Sequence, residues 1–151
     1  MSAVSSRFTS QVGIRLPVIG GAMYPCSNPE LVAAVSAAGG IGVVQPVSMT
    51  YVFGHDFREG LRLIKSTTNC PIGMNALIEK SSQRYHERLV KWVEIALEEG
   101  VRFFVTSLGN PAWVVSLRAP NPKGCPLVAV GAASPSEPTH GKPPRRSTAK
   151  R

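Results

Sequence analysis

Acidic residues are scarce in this chain, cysteines are few, and no long apolar run occurs. Nine Asp and Glu stand against seventeen Lys and Arg among 151 residues, a formal net charge of +8. The three cysteines, Cys26, Cys70 and Cys125, lie far apart and form no C-x-x-C pair. An odd, dispersed set gives no disulfide framework, so a reducing cytoplasm is the expected compartment. The longest weakly polar stretch, Leu31 to Val44, is too short to span a bilayer and contains Gly39-Gly40. Arg7 interrupts a polar start that no apolar run follows, so neither a signal peptide nor membrane association is expected.

Familiar site motifs are missing as well. Gly40-Ile41-Gly42 begins a dinucleotide fingerprint, but Gln45 stands where its third glycine belongs, and the run precedes a strand where the fingerprint opens a helix. His86-Glu87 begins a zinc helix, but Val90 occupies the second histidine position. Neither G-x-S-x-G nor the phosphate-binding G-x-x-x-x-G-K-[ST] occurs. No metal site is expected. His55, His86 and His140 read as a loop or capping residue on a strand-end rim, a surface residue and a solvated residue.

What is present is globular: 43% hydrophobic and 17% charged residues, enough for one domain with one core. The charge is uneven. Residues 1–115 hold ten basic and eight acidic residues, whereas residues 116–151 hold seven basic residues and one acid, Glu137, together with seven of the thirteen prolines. A basic Pro-rich tail without aromatics can touch phosphates, but a solvated, irregular tail is the expectation and nucleic-acid binding is not.

Residues 1–115 alternate short apolar runs with amphipathic segments. Pro17 to Gly21 reads as a buried strand. Asn28-Pro29-Glu30 supplies a cap, a first-turn proline and an acid for a helix that Gly39 stops. Ile41 to Val44 is the next strand. Asp56 caps a helix with Phe57, Leu61 and Ile64 on one face and Arg58, Arg62 and Lys65 on a face expected to be solvated. Pro71 to Asn75 is the third strand. A helix from Ser81 or Ser82 to Gly100 has Glu87 and Lys91 in the favourable i,i+4 order. Val101 to Thr106 is the fourth strand, and Asn110-Pro111 opens another helix. Strands recurring after about thirty residues suit parallel pairing through right-handed crossovers. A doubly wound sheet and part of a (β/α)₈ barrel both fit. The pattern stops after Val115, though Leu127 to Val130 suits one more short strand.

Two strand ends attract attention. Gly20-Gly21-Ala22-Met23 has no bulky side chain before Met23. Either it makes a tight turn, or a flat ligand approaches the backbone and bonds to its N–H and C=O groups. Asn75, closing the third strand, offers donor and acceptor at a rim position or makes a local turn.

Pro17 to Met23 followed by Pro29 to Gly42 resembles the opening of nitronate monooxygenases, formerly called 2-nitropropane dioxygenases. Pro71-Ile72-Gly73-Met74-Asn75 resembles their third-strand motif, and Phe104 to Pro111 their fourth strand and following loop. The similarity runs from about residue 8 to residue 115. It implies the N-terminal half of a flavin-binding (β/α)₈ barrel over 1–115, about four of eight βα units, followed by a basic irregular tail over 116–151. It implies FMN as cofactor, with Gly21, Ala22 and Met23 against the isoalloxazine ring and Asn75 hydrogen-bonded to it. Nitronates and dioxygen are then the expected small-molecule partners. No catalytic residue carries over, because the family's later Gly-Gly-His segment has no counterpart here. A complete barrel takes about 250 residues, so the change near Val115 is expected to be a premature ending, with a chain inactive alone and exposed sheet edges open to self-association. FMN-dependent enoyl-acyl-carrier-protein reductases share much of the pattern and give a second expectation. A small binding module using its basic tail gives a third.

Overall fold

The computed structural model describes residues 5–78, 82–108, 112, 114 and 127–131. Its framework is one parallel sheet of five strands: β1 (Ile19–Gly20), β2 (Ile41–Val44), β3 (Ile72–Leu77), β4 (Phe103–Ser107) and β5 (Val128–Gly131). Each strand pairs with its predecessor, giving the order β1-β2-β3-β4-β5. A doubly wound sheet reverses its strand order at a switch point. The strictly sequential order therefore selects part of a (β/α)₈ barrel. β5 falls within 116–151, at the position that suited one more strand. The open edges of the described sheet are thus β1 and β5, not the first and fourth strands.

Local chemistry sets the helices between the strands. Asn28 accepts a hydrogen bond from the Leu31 N–H and Pro29 takes the first helical position, starting α2 (Pro29–Ala37). Asp56 caps α3 (Phe57–Thr67) through the N–H groups of Arg58 and Glu59. Ser82, not Ser81, caps α4 (Gln83–Glu98). On α4, Glu87 accepts from the Gln83 amide, so the favourable Glu87–Lys91 spacing is not where its hydrogen bond forms. The helix start expected at Asn110-Pro111 lies outside the described residues.

Strand alternation divides the core. Val44, Met74, Ala76 and Phe104 join Val32, Leu61, Ile64 and Val93 in one buried cluster between sheet and helices. Ile41, Val43 and Phe103 face the other way and form a second cluster. This inner face meets a helix that the strand–helix rhythm gives no sign of, α1 (Arg7–Val12). Ser6 and Thr9 cap each other reciprocally to start it. Its apolar residues Phe8 and Val12 pack on the inner cluster, and Phe8 meets Phe103 edge to face at 5.7 Å between centroids. α1 thus closes the inner face near Ile41 and Phe103, toward the N-terminal ends of the strands.

α2 lies unusually close to β2. A Cβ on Gly42 would stand 2.2 Å from the carbonyl oxygen of Val32, so only a hydrogen fits there. The same glycine's N–H donates to buried Ser36 Oγ at 3.0 Å, which fastens the helix to the strand.

Two expectations change. The run Pro17 to Gly21 is not a buried strand: only Ile19–Gly20 pairs, and Val18 and Ile19 are 53% and 45% exposed, because β1 is an edge. The basic row of α3 is not simply solvated. Arg58 pairs with Glu98 and Glu99, while Arg62 and Lys65 pair with Glu99. The hydrogen bond to Glu98, then that to Glu99, raises the Arg58 pKa above its ordinary value. Burial alone pushes the Glu99 carboxyl up, but hydrogen bonds from Arg62 and Arg58 and the charges of Arg62 and Lys65 outweigh it and hold it below the usual carboxylate value. These cations also offset two acids at a helix C-terminus, where the backbone dipole disfavours them. Among the described residues no helix is long and apolar enough to cross a membrane, and no group of His, Cys, Asp and Glu could hold a metal.

Candidate functional site

Because all five strands run parallel, their C-terminal ends share one rim. The register fixes its levels. Gly20 pairs with Gly42 and Gly42 with Ile72. β1 ends at Gly20, so Gly21 to Met23 follow its C-terminal end, while Asn75 lies in the C-terminal half of β3. Met23 and Asn75 therefore lie at the same end of the sheet, as expected from the sequence.

The stretch after β1 divides into an open part and a tied part. A Cβ on Gly21 would meet nothing within 4 Å, and its φ is not in the left-handed region. The glycine therefore borders open space and is not required by backbone conformation. Ala22 packs against the inner cluster. Met23 is 49% exposed, but its main chain is tied: its N–H donates to Ser27 Oγ at 2.7 Å, and its C=O accepts from the Ser27 N–H at 2.8 Å. The expectation of free backbone edges holds no further than Gly21 and Ala22, since Ser27 engages both groups of Met23. The residues between include a cis Tyr24-Pro25 bond.

Asn75 does not close its strand; β3 continues to Leu77. It faces the inner side at the level where hydrophobic packing gives way to polar groups. Its Nδ2 donates to Gln45 Oε1 at 2.8 Å, and its Oδ1 accepts from Ser107 Oγ at 2.8 Å. The local turn or cap considered for Asn75 is thus replaced by a side-chain link across the ends of β2, β3 and β4. Gln45 and Asn75 are both buried, so each amide needs partners to offset lost hydration.

Gln45 and Ser107 escaped the sequence reading. Gln45 figured there only as the residue that spoils a glycine motif. The available signal was parity: Val43 and Gln45, and Phe103, Val105 and Ser107, share the inward side of their strands, and each series turns polar at its last member.

The rim carries other features. Directly after β2 the chain forms a π-helical segment, Ser48–Val52, whose buried Ser48 Oγ has no hydrogen-bond partner among the described residues. His55 follows it, half-buried, with its N–H bonded to the Met49 carbonyl, in a loop position before the Asp56 cap. His86 is half-buried on α4, and His140 lies outside the described residues. Leu108, just past β4, is 70% exposed with φ 62°, a conformation that costs a branched side chain energy.

Residues 5–141 match the profile of a family described as nitronate monooxygenase. A curated nitronate monooxygenase from Pseudomonas aeruginosa is 31% identical over 91 residues, 60% of this chain and 25% of that protein. A (3aS,4S,5R,7aS)-5-hydroxy-7a-methyl-1-oxo-octahydro-1H-indene-4-carboxyl-CoA dehydrogenase from Rhodococcus jostii is 28% identical over 102 residues, 68% of this chain and 26% of that protein. Among solved structures, FabK from Thermotoga maritima is similar with a TM-score of 0.60 and 28% identity, covering 74% of this chain and 33% of that one. The chain spans about a quarter of the length of these curated relatives.

Proposed function

The chain belongs to the nitronate monooxygenase family, and from that premise we propose that it carries part of an FMN site in an oxidoreductase that oxidises nitronates with dioxygen. The family includes oxidoreductases, so redox chemistry is the premise, while cofactor, substrate and a cytoplasmic setting belong to the proposal. The observation that carries it is the convergence at one rim of an open glycine position, Gly21, with the polar link through Asn75.

The residues fit a flat heterocycle. Gly21 and Ala22 present little side chain, so a ring can lie against the backbone, with Met23 beside it. Among the described residues Asn75 retains one N–H and one lone pair beyond its two bonds and can hold a ring edge. Gln45 and Ser107 restrain that amide, which lowers the ordering cost on binding. Phe8, packed on Phe103, covers part of the inner face below. When bound, FMN supplies the electron transfer from substrate to dioxygen; the protein supplies position and electrostatics.

The test adds FMN to the 151-residue chain and follows flavin fluorescence, then oxygen uptake with a nitronate and NAD(P)H consumption with an enoyl thioester. FMN binding that Asn75→Leu weakens, with nitronate-dependent oxygen uptake, supports the proposal. Thioester-dependent NAD(P)H consumption without nitronate turnover shifts it to the reductase reading. Binding unaffected by Asn75→Leu refutes the site.

A further inference from the structure

Gln45 is 8% exposed, and its only side-chain hydrogen bond among the described residues uses Oε1, which accepts from Asn75 Nδ2. Its two Nε2 hydrogens have no partner there. The nitrogen is not sealed in, because Ser48 Oγ is the sole fully enclosed side-chain N or O atom without a partner among the described residues. A nine-tenths-buried amide thus keeps its donor end in contact with open space, beside Asn75 just past the end of β2.

The link has a direction. Ser107 O–H donates to Asn75, and Asn75 N–H donates to Gln45. Each bond polarises the next, and the series ends in a donor with no protein partner among the described residues. The main chain around that donor is held: the Gln45 carbonyl accepts from the Met49 N–H at 3.0 Å, and the Pro46 carbonyl accepts from Thr50 Oγ1. A donor held in place and open to solvent is matched by water in the free protein and can exchange that water for a ligand's acceptor.

Building on the flavin reading above, we infer that Gln45 is a direct ligand-binding residue, whose Nε2 donates to a carbonyl oxygen or ring nitrogen on the edge of a flat heterocycle seated over Gly21. A neutral amide donor suits such an edge; a phosphate calls for cations or clustered backbone N–H groups. Ser107 acts one step removed, as a positioning residue that orders Asn75.

The test uses the ¹⁵N-labelled 151-residue chain titrated with FMN and observed by two-dimensional NMR. The Gln45 side-chain NH₂ pair is assigned by its disappearance in Gln45→Glu. The expected result is a downfield shift of that pair, saturating in parallel with the Gly21 backbone amide. Gln45→Glu keeps an acceptor for Asn75 but sets carboxylate oxygen against the ligand's acceptor edge, and weakens FMN at least roughly tenfold. Gln45→Met weakens it about two- to tenfold. Once that pair is assigned, the wild-type shift is read without reference to any variant's affinity. If the Gly21 amide shifts while the Gln45 pair stays still, or Gln45→Glu binds as wild type, the inference is overturned and the flavin reading survives. If neither shifts, both fail together.

Discussion

Two glycines one strand apart separate the demands of folding from those of ligand binding. A Cβ on Gly42 would stand 2.2 Å from the Val32 carbonyl oxygen and 2.9 Å from the Val32 carbonyl carbon and Cα. Ordinary contact needs about 3.5 Å, so Gly42→Ala must push α2 off β2 by about 1 Å or more. Overpacking of this kind costs about 1–3 kcal/mol, and the stiffer unfolded chain returns about 0.4–1 kcal/mol. The net loss of about 1–2 kcal/mol lowers the melting temperature by roughly 2–8 °C. Gly21→Leu meets nothing within 4 Å at its Cβ, so stability changes by no more than about 0.5 kcal/mol. The new side chain occupies the proposed ring space, and FMN affinity falls at least roughly tenfold, about 1.4 kcal/mol. Urea unfolding followed by far-UV circular dichroism and an FMN titration check both variants. A Gly42→Ala protein as stable as wild type would refute the close helix–strand approach. A Gly21→Leu protein that binds FMN normally would show that the open space is not the ligand's.

Other outcomes follow from the same contacts. Asn75→Leu strands Gln45 Oε1 and Ser107 Oγ, and is expected to cost about 1–3 kcal/mol in urea unfolding. Glu99 has a folded pKa below its unfolded value, so its stabilising contribution is present above the unfolded pKa and is lost as pH falls through the folded one. Stability measured downward from about pH 6 should therefore decline less in Glu99→Gln than in wild type; equal slopes exclude the Arg58–Arg62–Lys65 clamp as the cause. Tested by itself, the 151-residue polypeptide should turn over a nitronate roughly 10²-fold or more slower than a full-length family member, and comparable oxygen uptake refutes this. The open edges at β1 and β5 predict concentration-dependent self-association in analytical ultracentrifugation, and a monomer at all concentrations counts against it.

The strand–helix succession was legible because its signals are local. Asn28-Pro29 and Asp56 announce helix starts by side-chain capping, and Ile41 to Val44 and Ile72 to Met74 are apolar throughout, as doubly covered strands are. α1 was not legible, since six residues with two apolar positions carry too little periodicity and its cap is a reciprocal Ser6–Thr9 contact. Four residues of the candidate site could be named from motif resemblance: Gly21, Ala22, Met23 and Asn75. The rest depends on registers between strands some thirty residues apart in sequence. Gln45 and Ser107 become neighbours of Asn75 only once β2, β3 and β4 are aligned. The pairing of α3's basic row with Glu98 and Glu99 was hidden for the same reason, because it joins two helices across an intervening strand.

The order β1-β2-β3-β4-β5 also has a consequence for synthesis. Every strand finds its partner one unit earlier in the chain, so no segment has to wait for a distant one before it can dock. As the polypeptide leaves the ribosome, each completed βα unit can settle on a surface already formed, with short loop closures at every step. The newest strand is always the exposed one, a template for whatever follows it. Assembly of this kind proceeds by extension from the start of the chain, and the most vulnerable moment at each stage is the interval before the next strand arrives.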